Sequence, residues 1–157
     1  MGLIGSLNPN SVYMALFARP NPGEYHWGLV FTSDVGNSVF CHATNRAGPW
    51  SFEMKEGDSG KSMSLIVLVR VSALKNPEYL STVRSVPAIG GVSKRTGENF
   101  RCRGWVKDVL VALEESGKIS LPSDIDTLEK DAAAQGAKYL QTCESGNGAT
   151  VVNDISK

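Results

Sequence analysis

The sequence is poor in the residues that mark several common classes of protein. Its 157 residues include three cysteines, Cys41, Cys102 and Cys143, with no CxxC pair. An odd number of scattered cysteines does not form a disulfide framework and is typical of a reducing compartment. Residues 1–11 lack a basic segment followed by an apolar run, so no signal peptide is predicted. We therefore expect a cytoplasmic location.

The sequence also lacks an excess of charge of either sign. Sixteen basic residues balance sixteen acidic ones, and the composition is 41% hydrophobic. Phosphate binding needs a basic excess on at least one face, so nucleic acid is not an expected partner. No stretch is long and apolar enough to predict a transmembrane segment. A chain of this length predicts one domain, which we place at residues 1–143, with a flexible tail at 144–157. The sequence does not indicate an oligomeric state.

Hydrophobic patterning divides the chain into short strands followed by helices. Period-two and β-branched runs predict strands at 12–17, 25–31, 39–44, 51–54 and 65–71. Caps and helical stripes predict helices at about 76–85, from Asn99 to near Gly117, and from Ser123 past Leu140. This order predicts an α+β domain, a small antiparallel sheet packed by helices.

The only two histidines of the chain are predicted to meet on the sheet. Alternation puts His26 on one strand face with Gly28 and Val30, and Trp27 on the other. His42 lies in the next strand, and a hairpin would bring the two rings within hydrogen-bond reach on the same face. Gly28 is expected to leave room beside the His26 ring. His26 would then act as a base that His42 orients.

One cysteine falls at the start of a predicted helix. With Asn99 as N-cap, Cys102 lies in the first turn, where the helix dipole favours a thiolate. Trp105 and Val106 follow it by three and four residues, so its side chain is expected to face the sheet and the histidines. A cysteine on an apolar helix face is also an ordinary core residue, and that alternative stays open.

Three segments together resemble a known superfamily. They are Tyr25-His26-Trp27-Gly28-Leu29-Val30-Phe31, Val39-Phe40-Cys41-His42-Ala43 and Asn99-Phe100-Arg101-Cys102-Arg103-Gly104-Trp105-Val106. The pattern is similar to the NlpC-type cysteine peptidase superfamily, in its permuted papain-like branch with the lecithin:retinol acyltransferase-like proteins. The resemblance implies a permuted papain-like fold with Cys102 as nucleophile, His26 as base and His42 as orienting group.

The activity implied by the resemblance is that of a thiol-dependent hydrolase or acyltransferase. It would act on an amide or ester bond of a small molecule or peptide through a thioester, without a cofactor. The backbone N–H of Cys102 would stabilise the oxyanion, with Tyr25 or Tyr13 as a second donor. Trp50 and Asn45 lie in or next to a turn that would serve substrate binding.

Two other classes of function fit the same residues. His26, His42 and Cys102 are also suitable as three metal ligands with an open fourth position, although their wide spacing is unusual for zinc. The chain could instead be a non-catalytic binding module on the same fold. In that case Trp27, Trp50 and Trp105 would line a ligand groove. The alternative is that they are core residues, which we favour for Trp27 and Trp105, whereas Trp50 follows a turn and is the one expected to reach a pocket.

Overall fold

In the part of the chain that the structure describes, a six-stranded sheet packs against three helices. The computed structural model describes residues 3–20, 24–35, 37–45, 48–56, 64–88 and 101–154. The strands are β1 (Ser11–Ala18), β2 (Tyr25–Thr32), β3 (Ser38–Thr44), β4 (Ser51–Glu56), β5 (Leu65–Ala73) and β6 (Thr150–Val152). The helices are α1 (Leu80–Ser85), α2 (Cys102–Glu115) and α3 (Ile125–Glu144).

The sheet order is β4-β3-β2-β1-β5-β6. The first five strands in this order pair antiparallel, and β6 is added parallel to β5 at one edge. The α+β class predicted from the sequence is therefore confirmed, with a sheet that is mostly antiparallel. Within the described ranges, no helix has the length and apolar character needed to cross a membrane.

Alternation along the strands gives the sheet two different faces. On the first, which we call the helix face, Trp27, Leu29 and Phe31 of β2 form one buried cluster with the inward residues of α2 and α3. On the second face, Tyr13, Val30, Phe40, Leu65, Leu68 and others form a separate cluster, against which Leu3 and Leu7 pack. Among the described residues, the helices pack on the helix face, and this asymmetry determines which side chains can meet.

The structure corrects two predictions about the ends of elements. Helix α1 begins at Leu80, not at 76, because the amide of Glu78 is held by the side chain of Asn76 in a turn that precedes the helix. The predicted flexible tail is also wrong for residues 144–154. Thr150 of β6 pairs with Val67 of β5, and Ala149 is buried, so this segment completes the sheet. Its small and β-branched residues gave no strong strand pattern.

The absence of a side chain at Gly28 does not open a cleft, contrary to the prediction. A Cβ atom placed there would lie 2.4 Å from an edge carbon of the Phe40 ring and 3.2 Å from the carbonyl oxygen of Cys41. The Phe40 ring occupies the space above Gly28 and also lies 4.5 Å, centroid to centroid, from His42. Gly28 is therefore the position that lets an aromatic ring pack beside the histidine pair.

Gly28→Ala should consequently destabilise the protein. The added methyl group must displace Phe40 or the β3 backbone, and overpacking of this kind costs about 1–3 kcal/mol. Gly104→Ala is the matched control, because nothing lies within 4 Å of its Cβ position and alanine favours helix by up to about 1 kcal/mol. Urea unfolding of the two variants measures both effects. Equal stability of Gly28→Ala and the wild type would contradict this packing.

Candidate functional site

Two histidine rings are in direct contact on the second face of the sheet. His26 Nε2 lies 2.6 Å from His42 Nδ1, and the rings are nearly perpendicular, with centroids 4.8 Å apart. The contact follows from antiparallel pairing of β2 with β3, in which Leu29 stands opposite Cys41. Both rings project from the same face because strand side chains alternate. The predicted hairpin contact between the two histidines is therefore present.

The contact belongs to a longer hydrogen-bonded chain. His42 Nε2 lies 2.8 Å from Glu53 Oε1, since these two residues stand opposite each other in the β3–β4 pairing. At the other end, Arg19 Nη2 lies 3.2 Å from His26 Nδ1. The order along this hydrogen-bonded chain is Arg19, His26, His42 and Glu53.

When both rings are neutral, the charged residues at the two ends of the hydrogen-bonded chain determine which nitrogen of each ring carries the hydrogen. A guanidinium group only donates, so Nδ1 of His26 accepts and its Nε2 carries the hydrogen. That N–H donates to Nδ1 of His42, whose own Nε2–H donates to the Glu53 carboxylate. Every contact in the chain is then a donor facing an acceptor. This assignment rests on the hydrogen-bond pattern, and it makes Nδ1 of His26 the basic nitrogen at the outer end.

Burial increases along the chain from its outer end to the second histidine. Arg19 is exposed, His26 is half-buried, and His42 is 5% exposed. Phe17 packs on His26 and Phe40 on His42, with ring centroids 5.7 and 4.5 Å apart. Apolar neighbours reduce the local dielectric constant, which strengthens the hydrogen bonds between these groups. The arrangement combines one accessible imidazole with a buried, oriented one behind it.

The contact with His42 lowers the pKa of Glu53. The hydrogen bond from His42 favours the carboxylate, and Lys55, whose Nζ lies 3.4 Å from the same oxygen, adds to the effect against a smaller opposing effect of burial. Glu53 is thus held in its ionised form. An ionised carboxylate at this end stabilises positive charge on the two rings.

Glu53 should make stability depend on pH in acid. Because its pKa is lowered in the folded protein, its stabilising contribution is present above the usual carboxyl pKa of about 4.3 and is lost as the pH falls through the folded value. Between pH 5 and 3, wild-type protein should lose more unfolding free energy than Glu53→Gln. The excess should stay below about 1 kcal/mol, because this partly exposed carboxylate is screened by solvent.

Urea unfolding at several pH values makes the comparison. Glu56→Gln, at the exposed end of the same strand, is the control and should retain the wild-type pH dependence. An identical pH dependence of Glu53→Gln and the wild type would contradict the His42–Glu53 interaction.

The structure does not bring Cys102 to the histidines. Cys102 lies in the first turn of α2, as predicted, and is 6% exposed. It belongs to the helix-face cluster with Trp27, Leu29 and Cys41, whereas His26 and His42 contact Phe17 and Phe40 on the second face. The prediction that helix phase turns Cys102 towards the histidines is therefore wrong. Its side chain does face the sheet, but the sheet separates it from the two rings.

The two tyrosines considered as oxyanion donors have other roles. Tyr25 lies on the helix face, where its ring packs over Gly136 of α3. A Cβ atom added at Gly136 would lie 3.2 Å from the ring. Tyr13 is fully buried, and its hydroxyl accepts from the amide of Asn8 and donates to Asn153 Oδ1. Burial raises the pKa of Tyr13.

The residues considered for ligand binding do not form one site. Trp27 and Trp105 are buried in the helix-face cluster, and Trp50 is half-buried against it. Asn45 is exposed, and its backbone carbonyl accepts from the amide of Gly48. All three indole rings therefore pack on the helix face or against it, away from the histidine pair.

The three proposed metal ligands do not converge either. His26 and His42 share the second face, but Cys102 is on the helix face. Across the ranges that the structure describes, no group of three or more His, Cys, Asp or Glu side chains is arranged to hold a metal ion.

The other two thiols are buried in the core. Cys41 points to the helix face, opposite to its neighbour His42, and burial raises its pKa to about 12. Cys143 donates from Sγ to the carbonyl oxygen of Leu65 at 3.1 Å, and burial raises its pKa as well. Both thiols are protonated at neutral pH and are shielded from reagents.

Cys41 should therefore resist alkylation in the folded protein. With a pKa of about 12, roughly one thiol in ten thousand is ionised at pH 8, and only the thiolate reacts. Iodoacetamide labelling followed by peptide mass spectrometry should find Cys41 unmodified in native protein and modified in urea. Rapid native labelling of Cys41 would contradict its burial.

Comparison with known proteins gives one family. Residues 10–144 match the model of a family described as "Family of unknown function (DUF6914)". The chain belongs to this family. The matched range of the DUF6914 family includes both histidines, Glu53 and Cys102. No curated protein and no solved structure matches the chain.

Two members of the hydrogen-bonded chain were missed in the sequence. Glu53 lies in a segment that the pattern identified as an edge strand, but the register of that strand against β3 leaves no mark in the sequence. Arg19 directly follows β1 and comes two residues after Phe17, which pairs with His26, so alternation puts its side chain on the same face as that ring. The available signal for Arg19 was the hairpin of β1 and β2, because residues that flank the turn of this hairpin lie close to His26.

Proposed function

We propose that this protein is a hydrolase of ester or amide bonds that uses His26 as its general base. The observation that carries the proposal is the 2.6 Å contact between His26 and His42, continued to the carboxylate of Glu53. A base oriented by a second group, with a carboxylate behind it, is the arrangement that general-base catalysis uses. The substrate class comes from the sequence resemblance.

Three members of the hydrogen-bonded chain have distinct roles in this proposal. His26 Nδ1 takes a proton from the attacking water. His42 accepts the Nε2–H of His26 and fixes the ring orientation. Glu53 stabilises the positive charge that the rings acquire. His42 and Glu53 are positioning residues, while His26 is the catalytic residue that contacts the reacting atoms.

Water is the proposed nucleophile in place of a thiol. The thioester route expected from the sequence requires Cys102 Sγ and the His26 ring on one side of the sheet. Their separation between the two clusters argues against that route. The permuted papain-like fold stays a proposal as well, supported by the order of two histidine strands before a helix that begins at cysteine.

The proposal predicts a graded loss of activity. With 4-nitrophenyl acetate as a simple ester, His26→Gln should reduce kcat/KM by about 10²-fold or more, because it removes the base. His42→Gln and Glu53→Gln should have smaller effects and should change the pH profile of kcat. Cys102→Ala should retain the wild-type rate.

Two outcomes would count against parts of this scheme. If His26→Gln hydrolyses the ester as fast as wild-type protein, His26 is not the base. If Cys102→Ala is as inactive as His26→Gln while unfolding at the same urea concentration as wild type, the nucleophile is the thiol. Circular dichroism of each variant controls for loss of fold.

A further inference from the structure

Arg19 occupies the position that the proposed base needs to use. Its guanidinium contacts Nδ1 of His26 at 3.2 Å, and this nitrogen is the one left to accept a proton. Arg19 is exposed and follows the last residue of β1. In the described part of the chain, no carboxylate forms an ion pair with it. One of the five N–H donors of its guanidinium group is used on the His26 ring.

This contact is incompatible with proton uptake by His26. The Arg19 N–H fills the lone pair of Nδ1, and an imidazolium formed there would face a guanidinium of the same charge. Like charges this close disfavour the protonated ring. The base can therefore work only in those molecules in which Arg19 has moved away, so a substrate that does not bind Arg19 is hydrolysed more slowly.

An anionic group would draw Arg19 away most effectively. Guanidinium binds a carboxylate through two parallel hydrogen bonds, a stronger interaction than a single contact to a neutral imidazole.

We propose that the substrate carries a carboxylate beside its scissile bond, and that Arg19 binds this carboxylate and so releases Nδ1 of His26. This inference rests on the proposed function of His26 as a base. It makes Arg19 a specificity-determining residue. A neutral substrate leaves Arg19 on His26, whereas a carboxylate-bearing substrate moves it and frees the base.

The reaction balances without another reactant. Water gives a proton to Nδ1 as its oxygen forms a bond to the carbonyl carbon. The tetrahedral intermediate then collapses with breakage of the bond to the leaving oxygen or nitrogen, which takes the proton from Nδ1. The products are a carboxylic acid and an alcohol or amine, and His26 returns to its neutral form.

Two matched esters test the inference. We would compare 4-nitrophenyl acetate with mono-4-nitrophenyl glutarate, which adds a free carboxylate to the acyl group. Wild-type protein should prefer the glutarate ester in kcat/KM by about tenfold or more, the size of a charge-assisted contact, after correction for their uncatalysed rates. Arg19→Gln should lose this preference, because it removes the group that binds the carboxylate. Arg84→Gln removes an equal charge on the helix face, where Arg84 lies over the Phe52 ring, and should behave as wild type.

A binding measurement complements the kinetics. Glutarate added to ¹⁵N-labelled wild-type protein should shift the Nδ1 resonance of His26 as Arg19 leaves it, and should leave this resonance unchanged in Arg19→Gln. If wild type hydrolyses neither ester, the titration still decides, and the absence of a shift overturns the role of Arg19.

The two proposals fail in different ways. Full activity of His26→Gln would remove the proposed function and this inference with it. If His26→Gln is inactive but wild type shows no preference between the esters, or Arg19→Gln slows both equally, then His26 is the base and Arg19 does not select the substrate.

Discussion

The alternation of side chains along β2 is the constraint on which the rest of the structure depends. Trp27, Leu29 and Phe31 point to the helices, so His26 and Gly28 must point away from them. A slip of one residue would exchange the two sets and bury an imidazole against α2. Because three large apolar side chains are anchored in the helix-face cluster, the sheet cannot make that exchange without losing much of its core. The position of His26 is thus set by its neighbours.

A buried histidine on the other face requires partners at both ring nitrogens. His42 is enclosed with Phe40, and an unsatisfied ring nitrogen there would cost about 1–3 kcal/mol. His26 and Glu53 supply these partners from the two flanking strands. The same contacts fix the orientation and tautomer of the ring. The contacts that satisfy the buried ring are therefore the same ones that would hold it in place for the proposed proton transfer, and Arg19 lies at the outer nitrogen of His26.

The sequence predicted the α+β class and the meeting of the two histidines because both depend on local periodicity and one hairpin. It did not predict which face the helices cover, and Cys102 was misplaced for that reason. The available signal was the contrast within β2, where Trp27, Leu29 and Phe31 are far more apolar than His26, Gly28 and Val30. A helix packs on the more apolar face. Glu53 was missed because strand register across β3 and β4 is a tertiary property.

The placement of the thiol and the base on opposite faces changes what the chain order of these residues means. Two strands that each carry a histidine, followed by a helix that begins at a cysteine, resemble a thiol enzyme only if the helix packs over the histidines. Here Cys102 lies beside Trp27 and Cys41 in the core, where a cysteine behaves as a small apolar residue. The hydrogen-bonded chain on the second face contains the groups that the proposed base requires, but it contains no nucleophile. In the proposed scheme water takes the place of the missing nucleophile, and Arg19 at the outer nitrogen would control when the base is available.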